Sequence, residues 1–246
     1  MLLRNRSLRW LMTGYIIIVI AYGVGIGLGL YTFTFFWELT GFQTMIVLLT
    51  GPFGSLFGYL LAGKLFAWLD KRNAMMAGAI AWMVLHALPV CLYLLGLTPA
   101  AGSWALAILL AAIYLLLGAC VAQVFVGIST LIADIADENA LATGTRQEGV
   151  LFGAVSFASK CISAGGSVIA GLMLRLIEWP TGATIRSGAD VAPETLHAMA
   201  VLSGPVAASI AIPGILCLLG YGLNRERTLA IQAELRAREL AAPSTA

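Results

Sequence analysis

Charged side chains are scarce in this sequence. Asp, Glu, Lys and Arg make up only 11% of the residues, whereas apolar side chains make up 60%. Soluble domains contain roughly 25% charged and about 45–50% apolar residues. A water-soluble globular domain is therefore excluded, and the mean hydropathy of +0.94 indicates an integral membrane protein.

Paired cysteines and metal-binding clusters are also missing. The four cysteines, Cys91, Cys120, Cys161 and Cys217, stand singly within apolar segments and show no CxxC spacing. This pattern argues against a disulfide framework and against a cysteine-bound metal. The net charge of +2 is spread along the chain, so no basic patch predicts a nucleic-acid partner.

Six long apolar segments are present, each long enough for the roughly 20 residues that a helix needs to cross a bilayer. They are continuous runs and lack the alternating pattern of barrel strands. We therefore predict an all-α integral membrane protein, with a six-helix bundle over residues 1–223 and a cytoplasmic tail over 224–246. The predicted spans are 10–37, 44–69, 74–97, 104–132, 150–176 and 199–221.

The basic residues predict the orientation of these spans. If the spans alternate, Arg175 and Arg186 fall on one side of the membrane, Lys160 falls inside a span, and the others share the side of both termini. Cytoplasmic loops are enriched in Lys and Arg. Both termini are therefore expected in the cytoplasm, and the protein is expected in the plasma membrane, which is the inner membrane of a bacterium. The residues on the cytoplasmic side are Arg4, Arg6, Arg9, Lys64, Lys71, Arg72, Arg146, Arg225, Arg227, Arg236 and Arg238.

The fifth span has one small, polar face. Its members recur at steps of three and four residues, which places them on one side of a helix. Lys160 lies deep in this span, where insertion of a charge costs about 2.5–3.5 kcal/mol. We interpret it as part of a transport pathway; the alternative is a lysine that snorkels or tethers helices. The face consists of Gly149, Gly153, Ser156, Lys160, Ser163 and Ser167.

Other polar or aromatic side chains in the spans allow two interpretations each. Gln123, in the fourth span, could bind a polar solute or bridge two helices. Tyr22, in the first span, could stack on a ring-shaped ligand or serve only in packing. His86, in the third span, is by default a packing residue and alternatively a proton relay. Gly23 and Gly27 form a GxxxG pair that predicts close approach of another helix.

A motif around the fourth and fifth spans resembles one in a known family. It comprises Asp134, Asp137, Glu138, Thr143, Gly144, Arg146, Glu148 and Gly149, followed by Phe152, Ser156, Phe157 and Lys160. This pattern is similar to the loop before the eleventh helix, and the start of that helix, in the glycoside-pentoside-hexuronide cation symporters, which include the melibiose permeases and belong to the major facilitator superfamily.

The resemblance implies a fold and a function. It covers the C-terminal six of twelve helices, so the chain would correspond to one half of a major facilitator fold. It would act in symport of a sugar or related polar solute with a cation, by alternating access. No enzymatic activity would be expected. Substrate or cavity residues would be Lys160, Ser156, Ser163, Gln123 and Tyr22. The cytoplasmic gate would comprise Asp134, Asp137, Glu138, Arg146 and Glu148.

The same resemblance implies the partners. The coupling cation, sodium or a proton, would bind mainly to an N-terminal half, so no cofactor or metal is expected in this chain. Besides the bilayer and a small polar solute, the expected partner is an N-terminal six-helix half or a second copy. Two alternatives stay open: a non-transporting remnant or accessory subunit, and a transporter of an amphipathic, lipid-like solute.

The predicted topology can be tested with reporter fusions. A reporter placed after Ala246 should be active on the cytoplasmic side, and one inserted within residues 182–192 on the opposite side, because the basic residues cluster near the termini. Each position is fused once to a reporter enzyme that is active only in the cytoplasm and once to a reporter enzyme that is active only outside it. The two enzyme activities are then compared at each position. Activity of both fusions in one compartment would contradict the topology.

Overall fold

The computed structural model describes residues 5–145, 147–180, 185 and 187–241, apart from the side chains of residues 161–164, 239 and 241. In this part of the chain 85% of the structure is helical and no strand occurs. Six helices are long and apolar enough to cross a membrane, which confirms the predicted fold class. They are α1 (Arg6–Phe36), α2 (Gly41–Leu69), α3 (Lys71–Leu94), α4 (Trp104–Thr143), α5 (Glu148–Leu176) and α6 (Pro193–Leu218). A shorter polar helix, α7 (Arg225–Ala241), follows them.

Local sequence explains where several helices begin and end. The Thr40 hydroxyl accepts a hydrogen bond from the Gln43 N–H, and the Gln43 side chain accepts one from the Thr40 N–H, so a capping box starts α2. Ser103 caps the start of α4 through the Leu106 N–H. Gly144, with φ 72°, ends α4 in the left-handed conformation that glycine adopts without strain.

The helices pack around α4 and α1. Helix α4 lies along α2 and α3, while α1 lies along α5 and α6. Helix α5 is therefore held mainly by α1, at an edge of the bundle. Of the six spans, α5 has the smallest part of its surface buried within the described chain.

Glycines allow the closest helix contacts. A Cβ atom on Gly54 of α2 would overlap the Leu115 carbonyl of α4, and one on Gly166 of α5 would lie 2.6 Å from the Gly23 backbone of α1. A Cβ on Gly27 would meet Ala170 of α5 at 2.7 Å. Gly23 and Gly27 thus face α5, which confirms the close helix approach predicted from their spacing.

The segment after the fourth span differs from its prediction. The sequence predicts that this span ends at residue 132 and that 134–148 forms a connection, but α4 continues to Thr143. The prediction is wrong because the charged residues do not end the helix: their side chains find partners on neighbouring elements. Most of the predicted tail forms the helix α7.

Replacing Gly54 by alanine should destabilise the bundle. The added methyl group meets backbone of α4, which cannot move aside like a flexible side chain, and overpacking of this kind costs about 1–3 kcal/mol. The same change at Gly63 of α2 meets open space and should be neutral or slightly stabilising. Thermal unfolding of the purified protein measures both; equal midpoints for G54A and G63A would contradict the packing.

Candidate functional site: the α5 polar face and the acidic end of α4

The polar face of α5 points away from the rest of the bundle. Leu151, Gly166 and Ala170 are buried on the side of the helix that packs on α1, whereas Ser156 and Lys160 are exposed. The predicted face is therefore brought together on one side, together with the exposed Gly149, Gly153 and Ser167. Ser163 belongs to the same predicted face, but its side chain lies outside the described residues.

A second exposed strip of α5 is apolar until Arg175 in the last turn of the helix. It consists of large side chains such as Phe157 and Val168, which are 71% and 64% exposed. Residue 157 adjoins residue 156 in sequence but lies about 100° further around the helix. Helix α5 therefore has three sides: one packed on α1, one apolar, and one that is small and polar.

Lys160 lies near the middle of α5. It is the thirteenth residue of a helix that starts at Glu148 and has 29 residues, so it lies roughly 18 Å along the axis at 1.5 Å per residue. No described carboxylate forms an ion pair with it; the described pairs are Lys71–Asp134, Arg227–Glu138 and Arg238–Glu234. An ammonium at that depth requires water or an anion from another molecule or unit.

Ser159, next to Lys160 in sequence, links α5 to α1. Its hydroxyl is 2.7 Å from the hydroxyl of Tyr15 and also donates to the Val155 carbonyl at 2.9 Å. Tyr15 is fully buried, so this hydrogen bond fixes the rotation of α5 about its axis. Ser159 lies outside the polar stripe, so the spacing that identifies Lys160 does not identify it.

Gln123 lies between α4 and α2 and is 6% exposed. Its side-chain amide donates to the Gly58 carbonyl of α2 at 2.7 Å, which is the helix-bridging arrangement of the two interpretations. Its Oε1 atom is buried and has no partner among the described residues. The structure does not bring Gln123 to the α5 face, because α5 packs mainly on α1.

Tyr22 lies on α1 beside two aromatic rings of α3. Its ring meets Trp82 edge-on, with 6.0 Å between centroids, and Trp82 stacks on His86 at 4.9 Å. His86 Nε2 is 3.0 Å from the Ser203 carbonyl of α6. Tyr22 thus belongs to an aromatic wall, separate from the α5 polar face.

Each acidic residue at the end of α4 accepts hydrogen bonds from a different set of neighbouring residues. Lys71 of α3 donates to both oxygens of Asp134, at 2.7 and 2.8 Å. The Gln232 side chain of α7 donates to Asp137 at 3.3 Å. Glu138 accepts from Asn5 at 2.7 Å, at the start of α1, and from Arg227 of α7 at 3.1 Å.

Two further predicted gate residues are Glu148 and Arg146. Glu148 is the first residue of α5, where a carboxylate interacts favourably with the helix dipole. Arg146 lies outside the described residues. Tyr221, after α6, is buried beside this cluster and its hydroxyl donates to the Leu131 carbonyl at 3.4 Å. Burial raises the pKa of Tyr221, with the Asp134 carboxylate adding to the effect.

The acidic end of α4 therefore joins α1, α3 and α7 into one unit. Sequence patterns do not identify Lys71, Arg227 and Asn5 as the hydrogen-bonding partners of these acids. The sequence indicates only that they share one side of the membrane with the acidic segment, because all of them lie on the predicted cytoplasmic side. Their individual pairing depends on helix rotation, which hydropathy does not report.

Breaking the Lys71–Asp134 pair should be costly. Asp134 is 4% exposed, so D134A leaves the Lys71 ammonium without its buried anion and should destabilise by about 2–4 kcal/mol. The control is E234A, which removes an exposed pair within α7 and should cost less than about 0.5 kcal/mol. Chemical unfolding in detergent measures both.

A double-mutant cycle with K71M separates the pair from other effects of the substitutions. The coupling between K71M and D134A should exceed about 1 kcal/mol, as expected for a pair in direct contact whose carboxylate is buried and whose lysine is partly exposed. A coupling near zero, or equal costs for D134A and E234A, would contradict this assignment.

The comparisons with known proteins give a family and no individual relative. The family model described as MFS/sugar transport protein matches residues 1–225. No curated protein and no solved structure matches the chain significantly. The match includes all six spans, the acidic end of α4 and the α5 polar face. The chain therefore belongs to the MFS/sugar transport protein family of membrane transporters.

Proposed function

We propose that the chain is one half of a secondary transporter that moves a sugar or related polar solute together with a cation. A second six-helix unit, on the same polypeptide or on another, completes the transporter. The two units rock about a site near the bilayer midplane and open it alternately to either side, as in transporters built from parallel repeats.

The observation that supports this proposal most strongly is the exposed polar face of α5. Helix α5 packs on one side only, exposes small polar residues on another and places Lys160 at mid-depth. Such a helix surface is poorly suited to contact with lipid. It suits a water-filled interface with another protein unit. Small side chains such as Gly153 and Ser156 leave room for a solute beside the lysine.

Lys160 has two roles in this proposal. Its ammonium donates hydrogen bonds to solute hydroxyls, and it repels the coupling cation from this half of the cavity. Deep carboxylates are not found in the described spans, where Glu38 follows α1 and Asp134 lies near the end of α4. The cation is therefore held by acidic residues of the second unit, and one of them neutralises Lys160 in part of the cycle.

The acidic end of α4 acts as the cytoplasmic end of a rigid body. Its hydrogen bonds to α1, α3 and α7 keep the six helices together while the two units rock. Glu148, at the start of α5, and Arg146, which precedes it in the sequence, exchange partners with the second unit as the gate opens and closes.

The proposal predicts that this chain alone performs no ion-coupled uptake. The purified chain is reconstituted into liposomes, and uptake of a labelled disaccharide such as melibiose is measured with and without a sodium or proton gradient. Uptake should stay at the level of empty liposomes, and co-reconstitution with a six-span polypeptide that carries intramembrane carboxylates and is encoded directly upstream should raise it. Robust gradient-driven uptake by the chain alone would overturn the requirement for a second unit.

The K160M variant tests the role of the lysine in the completed transporter. Uptake should fall at least about tenfold, since a lost charge-assisted hydrogen bond corresponds to roughly 1.5–3 kcal/mol. S129A, which removes an exposed hydroxyl that donates only to the Phe125 carbonyl of its own helix, is the control and should leave uptake unchanged. Unaltered uptake by K160M would contradict a role for Lys160 in transport.

A further inference from the structure

A cavity of about 490 Å³ lies between α1, α2, α3 and α4. This volume falls within the range of about 300–1,000 Å³ that small-molecule sites occupy. Its wall includes four aromatic side chains, Tyr22, Phe33, Trp82 and Tyr114, together with His86. None of its lining residues is Asp, Glu, Lys or Arg, so the cavity has no fixed partner for a charged ligand.

The aromatic wall is ordered by contacts among its own members. Tyr22, Trp82 and His86 form one continuous series of ring contacts. Phe33 and Tyr114 form another, with centroids 5.3 Å apart. Because each ring is supported by a neighbour, the cavity is preformed and needs little side-chain rearrangement to accept a ligand.

Glycines of α1 shape the cavity. A Cβ on Gly25 would lie 2.8 Å from the His86 ring, so glycine at this position lets the imidazole reach the Ser203 carbonyl. Gly29, four residues further and on the same side of α1, borders the cavity, and a Cβ there would meet nothing within 4 Å. Gly51 of α2 also borders the cavity, and a Cβ there would likewise meet nothing within 4 Å.

A few hydrogen-bonding groups interrupt the apolar wall. The Ser203 carbonyl can only accept, so neutral His86 donates through Nε2 and keeps Nδ1 as an acceptor. Pro52 has no N–H, so the carbonyl of Leu48, which also borders the cavity, lacks its usual helical donor. The hydroxyls of Tyr22 and Tyr114 add two groups that can donate or accept.

These features define the chemistry of the ligand. A sugar ring has hydroxyls around its whole edge, and a wall of this composition would leave most of them without partners, which is unfavourable. A saturated acyl chain would leave the polar atoms of the wall facing hydrocarbon. An uncharged aromatic or fused ring with one or two hydrogen-bonding substituents satisfies both the apolar surface and the polar atoms.

We propose that this cavity binds an uncharged ring compound, either free or as the apolar part of a larger solute. This proposal rests on the proposed transport function in one respect only, namely that the bound ring is part of the transported solute. Binding itself requires no gradient and no second six-helix unit.

The test uses the purified full chain in lipid nanodiscs with radiolabelled 2-naphthol, a neutral fused ring with one hydroxyl. Equilibrium dialysis measures binding, and empty nanodiscs of the same lipid give the membrane-partitioning background. Above that background we expect a single saturable site per chain. A signal that rises linearly with concentration, as partitioning does, would overturn the proposal.

Matched glycine variants locate the site. G29L and G51L place a leucine side chain in the cavity from opposite walls and should each weaken binding at least about tenfold, because bound ligand and leucine would overpack the space. G63L makes the same change on an exposed part of α2 where the added Cβ also meets nothing within 4 Å, and should bind like the unaltered chain. Equal binding by all three variants would overturn the location.

Competition tests the ligand class. Unlabelled 2-naphthol should displace the probe, whereas glucose and 1-decanol at the same concentration should not. Displacement by glucose as effective as that by naphthol would show a polyol site, and displacement by decanol would show an acyl-chain site; either would overturn the ring assignment. The binding experiment measures no transport, so the two proposals fail separately. Absence of naphthol binding would not contradict the proposed symport, and absence of solute uptake into liposomes would not contradict a measured binding site.

Discussion

A primary amine held halfway along a membrane-spanning helix must stay hydrated or meet an anion. The carboxylates that the structure describes do not provide that anion for Lys160, because those at the end of α4 are engaged with α1, α3 and α7. Desolvation of the ammonium would cost several kcal/mol, a large part of the roughly 5–15 kcal/mol that stabilises a domain. The polar face of α5 is therefore interpreted as an interface that becomes complete only with another six-helix unit.

The alternating glycines of α1 show how one helix can serve two neighbours. Gly23 and Gly27 are four residues apart and face α5, while Gly25 and Gly29 are also four residues apart and face His86 and the cavity. Two interleaved small-residue pairs therefore place α5, with its polar face outward, on one side of α1. On the other side they leave space for an aromatic pocket. Close packing on one side and empty space on the other follow from the same short sequence.

The six spans and the close approach of another helix to α1 could be predicted because both depend on local patterns, namely apolar length and glycine spacing, whereas the identity of that helix as α5 could not. The acidic residues of α4 could not be placed correctly. Hydropathy treats Asp134 and Glu138 as the end of a span, whereas Lys71, Asn5 and Arg227 satisfy them on a continuing helix. The cavity could not be predicted either, since its wall combines residues of four helices whose relative rotation the sequence does not show.

The most direct test of the account compares two adjacent positions on α5. In a background without the four native cysteines, S156C and F157C are each treated in intact membranes with a membrane-impermeant, water-soluble thiol reagent. Both side chains are exposed in the six-helix unit, so packing within the chain cannot distinguish them. The account predicts that the cysteine at 156 reacts, because it faces a hydrated interface, and that the one at 157 is protected by lipid. Equal reactivity at the two positions, or reaction only at 157, would contradict it.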